Sequence, residues 1–149
     1  MSFKIRLVPD KWHLQDVGML DNGAMYWIDV QLNSEGGDTR DFVATYAFDL
    51  DGNLIWNEIE DLGLRSESRR RDVSTIISRQ REKLGPGQIA DISVHPFSVN
   101  AYGLVFGLMV RKPEPDDGDP QDDQGPFVDA MPGWTLMFYP PWEEGLYST

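Results

Sequence analysis

Cysteine is absent from this 149-residue chain, histidine occurs only twice, and no apolar run approaches the roughly 18 residues of a membrane-spanning helix. Without cysteine there are no disulfides, no thiolate metal sites and no cysteine nucleophile, although such a chain suits either redox compartment. His13 and His95 form neither a His-x-His nor a His-x3-His pair, so nothing supports a zinc site. No Gly-x-Ser-x-Gly elbow accompanies them either, which removes the usual setting of a histidine triad. His95 precedes Pro96 at a strand end, where a structural hydrogen bond is the expected role. Basic residues are also scarce: 13 stand against 25 acids, for a net charge of −12 and a pI near 4.4. A chain this acidic repels nucleic-acid phosphates and anionic lipid, and favours a basic partner. The opening "MSFKIRLVPDKWH" contains no signal-peptide apolar run, so the expectation is a soluble, cytoplasmic protein with neither nucleic-acid nor membrane partners.

An apolar fraction of 40% with 11% aromatic residues is enough for a metal-free core, and the length fits one domain over residues 1–149. The charge is unevenly placed. Seven of the 13 basic residues lie between Arg65 and Lys83, beside only three acids, which leaves −16 on the remainder. Arg69, Arg70, Arg71, Arg79, Arg81 and Lys83 invite a comparison with RNA-binding faces, but no aromatic or Gly-rich recognition motif stands beside them. The spacing predicts instead a basic helix lying on an acidic body.

Period-2 and apolar runs predict strands over Phe3–Val8, Ala24–Leu32, Asp41–Phe48, Leu54–Trp56, Ile89–Val94, Phe97–Val99 and Leu104–Val110, with a final hairpin from Phe127 to Tyr139. In Ala24–Leu32 the alternation puts Tyr26, Ile28, Val30 and Leu32 on one face and Trp27, Asp29 and Gln31 on the other, as in a half-buried strand. Helical spacing begins near Ser66 or Ser68, carries Val73, Ile76, Ile77, Gln80 and Leu84, and stops at Gly85-Pro86. "LVFGLMV" reads as a central strand with a close approach at Gly107. The "KPEPDDGDPQDDQGP" stretch (112–126) is expected to be a flexible acidic loop. These elements predict an α+β fold: a single twisted, mainly antiparallel sheet of six to eight strands with one main helix packed on one face.

The most suggestive stretch is "YAFDLDGNLI", Tyr46 to Ile55. Over about eight residues it resembles the first motif of the haloacid dehalogenase-type phosphatases, in which an apolar strand ends in Asp-x-Asp-Gly. The resemblance implies Asp49 as nucleophile, Asp51 as general acid/base and a bridging Mg2+. The surroundings point elsewhere. Strand candidates precede the motif, no second acidic pair ends another apolar strand, and "NLIWNE" continues as a strand rather than a helix. Asp51-Gly52 is a strong two-residue turn signal, with positive φ expected at both residues. A β-hairpin is the expectation.

The candidate contact residues lie late in the chain. Asp116, Asp117, Asp119, Asp122 and Asp123 lack the glycine and bidentate glutamate of a calcium loop, and so suit a basic partner better than a cation. In "MPGWTLMFYPPWEEGLYST", Trp142 and Tyr147 either seal a sheet edge or anchor a partner, with Glu143 and Glu144 beside them. The run "ISVHPFSV…YGLVFGLMVR…MPGWTLMFYPPWEEGLYST" resembles the C-terminal half of small bacterial proteins of unassigned function, a likeness that implies no activity. No constellation supplies nucleophile, base and oxyanion donor together, and no cofactor or metal is called for. The expectation is a non-catalytic acidic binder of a basic protein, in the manner of immunity proteins that inhibit nuclease toxins. A metal-dependent phosphatase or hydrolase using Asp49 and Asp51 is one alternative, and a self-associating scaffold, a homo-oligomer, is another.

Overall fold

The computed structural model describes residues 3–67, 70–111 and 126–149. The acidic run and its five candidate aspartates, Asp116 to Asp123, lie outside the described residues. The chain forms β1 (Ile5–Leu7), β2 (Asp16–Leu20), β3 (Met25–Glu35), β4 (Asp38–Phe48), β5 (Leu54–Leu64), α1 (Val73–Leu84), β6 (Gly87–Ile89), β7 (Ile92–Val94), β8 (Phe97–Ala101), β9 (Leu104–Arg111), β10 (Phe127–Met131), β11 (Met137–Phe138), a 3-10 turn (Trp142–Glu144) and β12 (Tyr147–Ser148). The α+β class holds, with every strand pair antiparallel. The single sheet does not. Three sheets form instead: β5-β4-β3-β2-β6, β12-β11-β10-β9-β8, and the small pair β1-β7.

The reason lies in β3 and β4, which are apolar on both faces. Trp27, Phe42, Ala44, Tyr46 and Phe48 point into a core shared with Phe106, Leu108, Val128, Ala130 and Phe138 of the second sheet. Tyr26, Ile28 and Val43 point the opposite way, against Ile76 and Leu62 beneath α1. One sheet with a helix on one side would leave the first set in water, at roughly 1.5–3 kcal/mol per large side chain. The layers are therefore helix, sheet, sheet. The half-buried reading of β3 is corrected on the same ground, since both of its faces are covered through Ile28.

Within the second sheet β9 is an interior strand, paired on both sides as its apolar run predicts, although β10 holds the middle place. A Cβ at Gly107 would come within 2.3 Å of the Phe97 carbonyl oxygen, so only glycine allows β8 and β9 to close here. The 87–94 stretch is not one strand. Its first half joins β2 and its second half joins β1, with only Ala90 and Asp91 between.

The helix starts at Val73, the first of its apolar positions and later than the start expected near Ser66 or Ser68, because the Asp72 side chain caps it by accepting from Thr75 N at 3.2 Å. Its C-terminus at Gly85 has φ +88 and closes onto the Arg81 and Glu82 carbonyls, which bears out the predicted stop. Beneath it the buried Gln80 donates to Glu60 Oε2 at 2.7 Å and accepts from the Thr45 hydroxyl.

The basic segment lies on acids of the first sheet, as expected. Arg65 and Arg70 hold Asp41 at 2.9 and 2.8 Å, Arg71 and Arg79 both hold Glu60, Arg81 holds Asp16, and Lys83 holds Glu58 at 2.6 Å. Elsewhere Arg6 pairs with Asp91, Arg40 with Glu35 and Asp61, and Arg111 with Asp129. Partly exposed pairs like these add about 1 kcal/mol each at most. Their larger effect is on charge, because they consume cations. Among the described residues no helix is long and apolar enough to cross a membrane.

Candidate binding site

Asp49 and Asp51 sit at the tip of the β4–β5 hairpin, where they were expected. Gly52 N donates to Asp49 O at 3.0 Å and Asp49 N to Asn53 O at 2.9 Å. Positive φ occurs at Gly52 (+92) but not at Asp51, so the turn is a three-residue loop ending in a left-handed glycine, not the two-residue form. The Asp49 carboxylate serves the turn. Its Oδ1 accepts from Asn53 N at 2.9 Å and Asp51 N at 3.0 Å, and the Asn53 amide chiefly holds the carboxyl below its ordinary range. Asparagine can accept the same two hydrogens. Asp49→Asn is therefore expected to leave the thermal midpoint within about 2 °C of the wild type. Loss of a Mg2+-dependent phosphatase activity present in the wild type would return Asp49 to the role of nucleophile, whereas a large loss of stability would show that the turn needs the charge.

Of the C-terminal candidates, the two aromatic ones are packed inward. Trp142 stacks on Phe3, with centroids 4.7 Å apart and planes at 17°. Tyr147 lies against Phe138, and its hydroxyl donates to Asp10. Both rings are half-buried and seal the edge strands β1 and β12, while Glu143 and Glu144 remain exposed. His95 Nδ1 lies 3.1 Å from Phe3 O, the strand-end contact its position suggests.

A different constellation, not singled out by sequence, forms along the free edge of β3. The last β2–β3 pair is Asp16↔Ile28, whereas β3 continues beside β4 as far as Glu35↔Asp38. Two connections approach the uncovered edge: the 10–15 loop and the 132–136 turn. Between them opens a groove of about 510 Å³, lined among others by Trp12, His13, Asp16, Asp29, Val30 and Trp134.

Each wall has a local cause. Asp10 Oδ1 gathers the backbone amides of Trp12, His13 and Leu14 at 2.8–3.0 Å, which shapes the loop and leaves the Trp12 indole 79% exposed. Burial opposes a charge on Asp10, but the Tyr147 hydroxyl and these amides outweigh it and hold the carboxyl below its ordinary value. Opposite, Gln31 pins the 132–136 turn: Gly133 N donates to its Oε1 at 2.9 Å, and its Nε2 donates to Thr135 Oγ1 at 2.9 Å. The contact is close enough that a Cβ at Gly133 would lie 2.7 Å from Leu32 O. The next residue, Trp134, is held at φ +55, a conformation costly for a bulky side chain, and is 56% exposed. One face of its indole meets the Arg111 guanidinium at 5.4 Å.

Asp29 lies on the floor, 6% exposed, and accepts from Gln31 Nε2 at 2.6 Å. Desolvation dominates here and pushes its carboxyl up to about 7, against the pull of the Gln31 hydrogen bond. Behind it the Tyr46 hydroxyl and Trp27 Nε1 are buried without a partner among the described residues. Burial, and secondarily the Asp29 charge, raise the phenol well above its ordinary value. The missed signal was Asp29 and Gln31 in phase with Trp27: polar residues on what proved to be an inner face. Among the described residues no cluster of three or more His, Asp or Glu side chains suits a metal ion. No protein-family model matches the chain, and no curated protein or solved structure matches it either.

Proposed function

We propose that this is a non-catalytic acidic protein-binding module, cytoplasmic, that docks a basic protein partner and blocks it in the manner of an immunity-type inhibitor. One observation carries this reading. The net charge is −12, and the arginines of the basic segment that the structure describes, with Lys83, are turned onto the protein's own carboxylates. A partner approaching from solvent therefore meets uncompensated acid, including Asp21, Asp51, Glu82, Glu143 and Glu144, which are exposed. Such a field steers cationic proteins and is screened by salt.

Affinity capture from host lysate at low and high ionic strength, read by mass spectrometry, tests it. A basic protein is expected on the low-salt resin and is expected to weaken at high salt and with Glu143→Lys/Glu144→Lys. A retained set that is indifferent to salt and to the charge reversal, or no retained protein at all, would sink the reading.

A further inference from the structure

We infer that the groove along the free edge of β3 is a socket for one cationic side chain, arginine or lysine, of the basic partner, with the Asp29 carboxylate as counter-ion and the Trp12 and Trp134 indoles as walls. The inference rests on the proposed function and gives it a place.

Four observations converge. First, among the described residues the one other acidic side chain lining the groove, Asp16, already holds Arg81, so Asp29 is the buried carboxylate left to offer, with Thr149, the last residue of the sequence, also in the lining. Its single side-chain donor is Gln31 Nε2, to Oδ2. Second, two tryptophans are exposed at one opening, an arrangement that costs apolar hydration and, at Trp134, a left-handed backbone. Indole faces are the strongest aromatic partners for ammonium and guanidinium groups. Third, the Trp134 ring already accepts a guanidinium, since Arg111 lies over it and is itself neutralised by Asp129 at 2.8 Å. Fourth, among the described residues no strand lies beside β3 beyond Ile28 on this side, and the 132–136 turn covers it only from Gln31 onward, which leaves Val30 exposed at the groove where an incoming side chain enters. A buried acid that prefers to be neutral is what a cation can exploit: its arrival supplies the charge that solvent no longer does. The other titratable side chains in the described lining are His13 and Asp16, and Thr149 lies there as well.

The test uses blocked pentapeptides of glycine with a central arginine, lysine or norleucine, titrated at low salt and at about pH 8, where Asp29 is ionised. Indole N–H resonances of Trp12 and Trp134 are followed by NMR. Arginine and lysine peptides are expected to shift both signals, and the norleucine peptide neither. Asp29→Asn is expected to weaken the cationic peptides about tenfold with the remaining spectrum intact. Trp12→Ala, an exposed change that spares the core, is expected to weaken them roughly fivefold. Equal binding of the norleucine peptide, or undiminished binding by a folded Asp29→Asn protein, overturns the socket. Poly-lysine serves as a separate probe of the broader reading. If wild type and Asp29→Asn retain it alike while the peptides ignore the groove, the socket falls and the acidic-binder reading stands. If wild type fails to bind poly-lysine at low salt, the broader reading falls.

Discussion

Asp29→Asn is expected to stabilise the protein by about 4 kcal/mol above pH 7 and to change little near pH 3.5. The sign follows from where the proton goes. In the fold the Asp29 carboxyl keeps its proton up to about pH 7, whereas in the unfolded chain it ionises near its ordinary value of 3.8. Stability from this group is therefore complete below about 3.8, falls as pH rises, and is fully lost once pH passes 7. Each factor of ten in proton affinity is worth about 1.4 kcal/mol, which sets the size of the effect. Asparagine has no proton to lose and can still accept from Gln31. The opposing groups act elsewhere: Asp10, Asp41, Asp49, Glu60 and Asp72 are held below their ordinary values, so their contribution disappears only as pH drops further into acid. Urea unfolding of both proteins from pH 4 to pH 8 reads the difference directly. Parallel profiles across that range would show that Asp29 is not the buried, neutral-preferring acid described.

Gln31→Leu is the second large effect, a loss of about 3 kcal/mol. Leucine fills a similar volume, so packing changes little, but the buried Asp29 carboxyl and the half-buried Thr135 hydroxyl and Gly133 N–H lose their partner at once. The buried orphan costs about 1–3 kcal/mol and the two half-buried ones less, and the gain from burying a more apolar side chain offsets only part of the sum. The turn carrying Trp134 is also released from β3. A lower urea midpoint should therefore be accompanied by faster amide exchange at Gly133 and Thr135 and a red-shifted tryptophan emission. Wild-type stability in the leucine variant, with the turn still protected, would mean that packing rather than Gln31 holds the site together.

What could be read in the sequence was local. The turn at Gly52, the helix stop at Gly85-Pro86 and the interior strand around Gly107 each follow from chemistry within a few residues, and the structure contains all three. What could not be read depended on distant cover. The second half of β5, "EIEDLGL", looks too acidic for a strand until Glu58, Glu60 and Asp61 are seen to meet Lys83, Arg79 and Arg40. β2 was lost because Gly18 weakens the strand signal, although a Cβ there would strike Gln88 O at 2.0 Å. The second sheet follows from the same limit, since "FVATYAF" shows apolar residues on both faces but not what covers the second. The groove was invisible for a related reason: Asp29 and Gln31 look solvent-facing until the 132–136 turn is folded back on them.

The split of residues 87–94 between two sheets has a kinetic consequence. β1 emerges early but has no strand to join until β7, so that Ile5 waits for Val94, and Asp10 waits longer still for Tyr147. Closing loops of that length is slow, because the entropy is lost before any contact repays it. The hairpins from β2 to β5 close over short separations and can condense first, around α1 once it forms. The apolar inner face of that first sheet then stands open until β8 to β12 arrive, and during that interval the dense acidic charge keeps one growing chain away from the next.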